Sequence, residues 1–336
     1  MQHDLPHGAD TAAPPSPAAA RPYHLRLLDS APAELSAQVL ACVEHGRGRA
    51  TDDDPRRIRV ETPLLAGSGV ELWESPLPVR HGRDEAIGYA ENGLVLFGQL
   101  HLDEPALADI ERASFDAYAR IERFLQQRGF PHWLRVWNFL SDITGGSGDA
   151  ERYRQFTVGR HRALSLKSGF ERELPAATAI GTRDGGLLIW FIAGTTPGTQ
   201  IENPRQVSAF RYPRQYGPKS PSFSRAKFLR WQGDAELLVS GTASIVGHET
   251  LHPDSPLAQL DETLANVEAL LGQAAADTPL QPELVKLYLR QAEHLPQVQG
   301  RLLSHFGAAT PCMVLQGDVC RAELDVEIEA IFRATT

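Results

Sequence analysis

The chain has 336 residues, 33 Lys+Arg against 42 Asp+Glu, a formal net charge of −9 and 42% hydrophobic residues. This length holds two ordinary domains with cores of their own. The net negative charge excludes a general nucleic-acid binder, which needs a basic footprint. Three cysteines, Cys42, Cys312 and Cys320, are too few for a disulfide framework or a Cys-rich zinc site. The longest apolar run, LLIWFIA at 187–193, falls far short of the roughly 20 residues that span a bilayer, so no membrane association is expected. Residues 1–22 are rich in Pro and Ala without a continuous apolar stretch. They read as a disordered tail of a cytoplasmic protein, not as a secretory signal.

Beyond the tail the same order of elements occurs twice. The first passage runs IGYAENGLVLFGQLHL (87–102), a helix around 111–128, LRVWNFLSDI (134–143) and RYRQFTVGRHRAL (152–164). The second runs FLRWQGDAELLVSGTASIVG (228–247), a helix over 257–273, LVKLYLRQ (284–291), PQVQGRLLSHFG (296–307) and a closing MVLQGDVCRAELDVEIEAIF (313–332). Asn92-Gly93 and Gly233-Asp234 suit tight hairpin turns. Phe115, Tyr118, Ile121 and Leu125 fall on one helical face, as do Leu260, Leu264, Val267 and Leu271. Each passage therefore predicts β-β-α-β-α with helices on one face of a sheet, an α+β design. The intervening ATAIGTRDGGLLIWFIAG (177–194) reads as a hairpin turned at Asp184-Gly185-Gly186, and the stretch 195–226, dense in Pro, Gly, Ser and Arg, as a long irregular loop. The expected division is a tail over 1–22, an N-terminal domain over 23–170, a hairpin and basic connecting loop over 171–216, and a C-terminal catalytic domain over 217–336.

Three features bear on chemistry. HETLH at 248–252 matches H-E-x-x-H, but a β-rich run precedes it and Pro253 follows His252, against the helix that a zinc site of this type requires. TGGSG (144–148) and GTTPGT (194–199) lack the Lys-Ser/Thr of a phosphate loop and read as turns. Between Asn203 and Gly233 there is no acid, yet Arg205, Arg211, Arg214, Lys219, Arg225, Lys227 and Arg230 all occur, with Tyr212 and Tyr216 among them. This suits a small polyanionic ligand or a solvated basic face. In ELDVEIEAI, Leu324, Val326, Ile328 and Ala330 alternate with Glu323, Asp325, Glu327 and Glu329. The acidic face is either solvated or turns one carboxyl into a cleft as a general acid or base.

The second passage, through PSFSRAKFLRWQGDAELLVSGTASI, LDETLANVEALL and VEIEAIF, resembles the RidA/YjgF family, which implies two tandem RidA/YjgF-like domains. The Arg of that family's enamine deaminases is replaced here by Thr310-Pro311-Cys312, and their early Tyr by Phe223, so the resemblance extends to the scaffold and not to deamination. A longer set of segments, RVWNFLSDI, ERYRQFTVGRHRAL, ENPRQVSAFRYPRQYGPKSPSFSRA, VSGTASIVGHETLHP and VCRAELDVEIEAIF, resembles the chorismatase family. That resemblance implies cleavage of chorismate, a dicarboxylate with an enolpyruvyl ether, without cofactor or metal. It further implies two catalytic residues, Glu327 as the acid that protonates the enolpyruvyl methylene and Cys320 as the residue that goes with an intramolecular hydroxybenzoate route. The branch it most resembles makes 3- and 4-hydroxybenzoate for pigment and ubiquinone formation. Arg160, Arg211, Arg214 and Arg230 are expected to bind the carboxylates, Tyr153, Tyr212 and Tyr216 to offer hydroxyls, and Ala243 to wall the site. Two alternatives stay open: a water-using chorismatase, and a non-catalytic metabolite-binding protein. Both a homotrimer and a monomer fit the fused repeat.

Overall fold

In the computed structural model of the protein, residues 21–46, 53–274 and 278–334 are described. The expected tail lies outside the described residues except for Arg21 and Pro22. Both are buried, and Arg21 is ion-paired with Glu236 (3.0 Å) and Glu283 (2.6 Å), so ordered contacts begin before the expected boundary at 22.

The chain first builds a separate sheet within the span expected to form the N-terminal domain. Strands β1 (His24–Leu28), β2 (Val39–His45), β3 (Arg57–Val60) and β5 (Val70–Glu74) pair in the order β1-β5-β2-β3, while β4 (Leu64–Gly67) leaves to pair elsewhere. The first copy then follows as β6 (Arg80–Asp84), β7 (Ile87–Glu91), β8 (Val95–Leu102), α1 (Ile110–Arg128), β9 (His132–Ser141), α2 (Arg152–Leu164), β10 (Ala176–Thr182) and β11 (Leu187–Gly194). Helix α1 begins where Asp109 accepts a hydrogen bond from the Arg112 amide (2.9 Å), and it ends at Gly129, whose φ of +80° favours glycine.

Residues 177–194 are not a hairpin. Strand β10 runs parallel to β9, and β11 lies on the other side of β9, antiparallel to both β8 and β9. The run LLIWFIA is apolar on both faces because β11 is a central strand, buried by helices on one side and by another sheet on the other. These two strands complete the first copy, which extends to Gly194 and past the expected boundary at 170.

The second copy repeats the order. It comprises β12 (Thr199–Ile201), β13 (Ala226–Trp231), β14 (Asp234–Ala243), a small ribbon of β15 (Ile245–Val246) and β16 (Glu249–Thr250), α3 (Pro256–Ala274), β17 (Leu280–Leu289), α4 (Leu295–Phe306), β18 (Cys312–Gln316), β19 (Asp318–Val319) and β20 (Val326–Ala334). Here β18 is parallel to β17, and β20 lies between β14 and β17, as β11 lies between β8 and β9. The α+β architecture of two tandem copies implied by the sequence is the architecture present. Each sheet carries seven strands because β19 crosses to the first and β4 to the second.

Helices cover the outer face of each sheet, and the inner faces pack on one another and on the four-stranded sheet. In β20, Val326, Ile328 and Ala330 join the helix-side core. Glu327 and Glu329 must therefore point into the space between sheets, where they are 5% and 2% exposed. Glu323 is exposed and Asp325 half-buried, but a solvated face is ruled out for Glu327 and Glu329, whose carboxyls sit inside the protein.

Candidate active site

At the seam between the copies the Gly241 amide of β14 donates to the Thr178 hydroxyl of β10 (3.0 Å), and the Ala177 amide to the Ser240 hydroxyl (2.9 Å). Beside this seam lies a cavity of about 390 Å³. The first copy contributes Glu151, Tyr153 and Arg154 from the start of α2, and the second contributes Gly241, Ala243, Glu327 and the loop 320–324. The connecting segment adds Tyr212, Tyr216, Phe223 and Arg225. One chain thus builds the cavity from both halves, not from the C-terminal copy alone.

The two buried glutamates are held in opposite states. Glu329 accepts from Arg135 (2.7 Å), Trp137 Nε1 (2.8 Å) and Thr178, and lies 2.8 Å from Lys286 Nζ. Against the cost of burial, Lys286 and Arg135 pull its pKa down to about 2. Glu327 is pushed up to about 8, first by burial and then by the anionic Glu329, against weaker opposition from Arg135 and Arg225. At pH 7 a carboxyl of that pKa is protonated in roughly nine molecules of ten. Gly241 packs against it so closely that a Cβ there would meet Glu327 Oε1 at 2.0 Å.

Register shows why the second copy alone carries this pair. Placing Leu187 of β11 on Val326 of β20 places their partners Leu140 and Leu289 on each other. Glu327 then corresponds to Leu188, Glu329 to Trp190, Lys286 to Trp137 and Tyr288 to Phe139. Where the second copy has a Lys–Glu ion pair, the first has two tryptophans stacked 3.5 Å apart, and Lys286 Nζ lies 5.3 Å from the Trp137 ring centre. An apolar pair of the first copy thus backs the ionic pair of the second.

Cys320 borders Tyr153, with which its thiol shares a hydrogen bond, and burial pushes the thiol up to about 12. It is a neutral thiol at physiological pH and not a nucleophilic thiolate. Of the expected arginines, none lines the cavity. Arg211 and Arg230 are exposed, Arg230 lying over Phe228 (4.8 Å), and Arg214 is exposed and paired with Asp149 (2.6 Å). Arg160 is buried on the α1-facing side of α2, with its guanidinium 5.1 Å from the Tyr118 ring centre and Nε and Nη2 without hydrogen-bond partners. The arginines in the cavity wall are Arg154, Arg225 and Arg321. Arg225 donates to the Tyr212 hydroxyl (2.7 Å) and the Val207 carbonyl (2.8 Å), and Arg321 to the His248 carbonyl and Thr250 hydroxyl (3.0 Å each). The Arg321 guanidinium stacks on Tyr216 at 4.0 Å. Arg225 Nε and Arg321 Nη2 remain buried donors without partners. The sequence held signals for both: Arg225 belongs to the acid-free run, and Arg321 adjoins Cys320.

HETLH spans the β15–β16 ribbon and its exit. His248 accepts or donates a hydrogen bond with the Tyr216 hydroxyl (3.2 Å), and His252 has a φ of +57° and lies 3.6 Å from Glu262. The two imidazoles do not share a helix face. Among the described residues no helix is long and apolar enough to cross a membrane.

The fold and the cavity together define an enzyme of two fused α+β copies, with a protonated carboxyl and incompletely paired arginines lining one space. Residues 71–193 match the family described as chorismatase FkbO/Hyg5-like, N-terminal. The chain is similar to a 3-hydroxybenzoate synthase of Streptomyces hygroscopicus, 33% identical over 275 residues covering 78% of this chain and 80% of that protein. It is also similar to a chorismatase of Streptomyces rapamycinicus, 32% identical over 313 residues covering 87% and 92%. A crystal structure of a chorismatase superposes with a TM-score of 0.80 at 30% identity, covering 92% of this chain and 97% of that one. The chain belongs to the chorismatase family.

Proposed function

We propose that the protein cleaves chorismate to pyruvate and 3-hydroxybenzoate, with 4-hydroxybenzoate as a second product. The observation that carries this reading is Glu327, a buried carboxyl facing the cavity and protonated at neutral pH. Glu327 acts as general acid and delivers its proton to the enolpyruvyl methylene carbon. The ring carbon–ether oxygen bond then breaks, and its electron pair stays with the oxygen as pyruvate departs. The ring 4-hydroxyl oxygen attacks the carbon that bore the ether, its proton returns to the Glu327 carboxylate, and an epoxide bridges the two carbons. The epoxide oxygen then takes a proton as one of its C–O bonds breaks, and a ring C–H proton is lost as the ring aromatises: cleavage at carbon 4 with loss of the proton on carbon 3 gives 3-hydroxybenzoate, and cleavage at carbon 3 with loss of the proton on carbon 4 gives 4-hydroxybenzoate. Pyruvate and hydroxybenzoate together contain all the atoms of chorismate, so the route consumes no water. Neutral Cys320 lies beside this path and has no role as a nucleophile.

Arg225 and Arg321 take the substrate carboxylates, since both line the cavity and each keeps a guanidinium N–H without a protein partner. The hydroxyls of Tyr153, Tyr212 and Tyr216 orient the ring, Ala243 walls the site, and Arg160 supports Tyr153 from behind. On this reading the products feed pigment and ubiquinone formation. Chromatography of products from chorismate in heavy-oxygen water tests the reading. Unlabelled 3- and 4-hydroxybenzoate with pyruvate are expected. Label in the ring product points to the water-using reaction, and absence of pyruvate to a binding protein.

A further inference from the structure

The reaction outlined above uses nothing from the four-stranded sheet of residues 24–74, yet that sheet sends two polar side chains into the protein's interior. His45 of β2 and Glu71 of β5 are buried, Glu71 completely. His45 Nε2 lies 2.8 Å from Glu71 Oε1, and His45 Nδ1 lies 2.8 Å from the Thr62 hydroxyl. Lys286 of β17 lies 2.6 Å from the same Glu71 oxygen and 2.8 Å from Glu329 Oε1. Arg135 of β9 holds the other Glu329 oxygen at 2.7 Å. The chain Thr62–His45–Glu71–Lys286–Glu329–Arg135 therefore runs through all three sheets. Its Glu329 lies two residues from Glu327 on the same face of β20.

The charges in this chain balance. Lys286 and Arg135 supply two positive charges, and Glu71 and Glu329 two negative ones. Burial holds His45 below its usual range, so the imidazole is neutral. A buried ion pair of this kind is weak evidence for stability alone, since apolar residues of the same volume serve as well. The first copy shows the apolar solution in Trp137 and Trp190, at the positions of Lys286 and Glu329.

We propose that Glu71 is a positioning residue for the acid: it anchors Lys286 on Glu329 and keeps the buried cluster neutral, so that Glu327 stays beside the cavity with its proton. This rests on the reading of Glu327 as general acid. Besides Glu329, the groups that face Glu327 are Arg135 from β9, Arg225 ahead of β13, Tyr288 from β17, Tyr153 from α2, and Cys320. Arg135 and Tyr288 also feel the Glu71 charge, and none of these groups is itself replaced in the variants below.

The test is the pH profile of kcat/KM for pyruvate release by the full chain. Glu71→Gln leaves the cluster with one excess positive charge, which disfavours a proton on Glu327. The alkaline limb is expected to fall by about one pH unit, with a roughly tenfold loss at pH 8.5 and little change at pH 6. Lys286→Gln leaves one excess negative charge and is expected to move the limb up. If Glu71→Gln does not fold, the upward shift in Lys286→Gln decides the matter. A limb that stays in place in a folded variant, or that moves the same way in both, overturns the proposal. Activity remaining in Glu327→Gln overturns the general-acid reading instead, so the two failures are distinguishable.

Discussion

Gly241→Ala is the smallest change that reaches the reacting group. A Cβ at 241 would lie 2.0 Å from Glu327 Oε1 and 2.8 Å from its carboxyl carbon, with Thr178 Cγ2 at 3.4 Å. Ordinary contact begins near 3.4 Å, so the carboxyl has to retreat by about 1.4 Å. The backbone cannot yield readily, because the Gly241 amide is tied to Thr178 and the neighbouring Ser240 hydroxyl to the Ala177 amide and the Ser224 carbonyl. A misplacement of about 1 Å at a reacting group costs on the order of 10²-fold in rate, about 3 kcal/mol in the barrier. Arg225 and Arg321 keep their contacts, so kcat is expected to fall about a hundredfold while KM changes by less than about threefold. Steady-state pyruvate release from chorismate, with far-UV circular dichroism as a check on folding, reads both numbers. A folded variant with wild-type kcat would mean that the Glu327 carboxyl has no fixed place in the reaction.

Three further outcomes follow from the same geometry. The acid form of Glu327 is lost above its pKa, so wild-type kcat/KM should fall about tenfold per pH unit above about pH 8. Arg225→Met or Arg321→Met should raise KM roughly 10- to 100-fold, in line with one lost charge-assisted contact, and lower kcat less; an unchanged KM in both would remove them from substrate binding. Stability should decline on acidification below about pH 4.5. Glu329 and Glu71 are held below their unfolded pKa, so their contribution is present above about pH 4.5 and lost toward pH 2, whereas that of Glu327, raised to about 8, is full below about pH 4.5 and is lost progressively as the pH rises to about 8. Denaturant melts from about pH 4.5 to about pH 2.5, where Glu327 is protonated in folded and unfolded chain alike, should show a falling midpoint, and a flat one would refute the cluster's charge assignment.

Much of the scaffold was legible because helix and strand periods are local. The stripes of Tyr118, Ile121 and Leu125 and of Leu260, Leu264 and Val267 are buried against their own sheets. The turns at Asn92-Gly93 and Gly233-Asp234 join the expected hairpins. The pairing of β10 and β11 was not legible, since adjacency in sequence favours a hairpin and only the sheet order reveals the crossover around β9. The sheet of residues 24–74 carries no motif, and its function lies in Glu71, which meets Lys286 more than 200 residues away, with His45 bonded behind it. Alternation in β20 separated two faces correctly but not their surroundings, because a polar face reads as solvated until a second sheet is seen to cover it. The arginines were misassigned for a related reason. Charge density marked the loop, but only the fold decides that Arg225 points inward while Arg211, Arg214 and Arg230 face solvent.

Replacement of the acid itself is the most direct test of the central claim. Glu327→Gln keeps the size and the hydrogen-bonding capacity of the side chain and removes only the transferable proton. With chorismate binding measured by calorimetry alongside pyruvate release, the expected result is binding within a few-fold of wild type and turnover lowered at least about a thousandfold. Turnover near the wild-type rate in a folded Glu327→Gln protein would contradict the assignment of Glu327 as the proton donor.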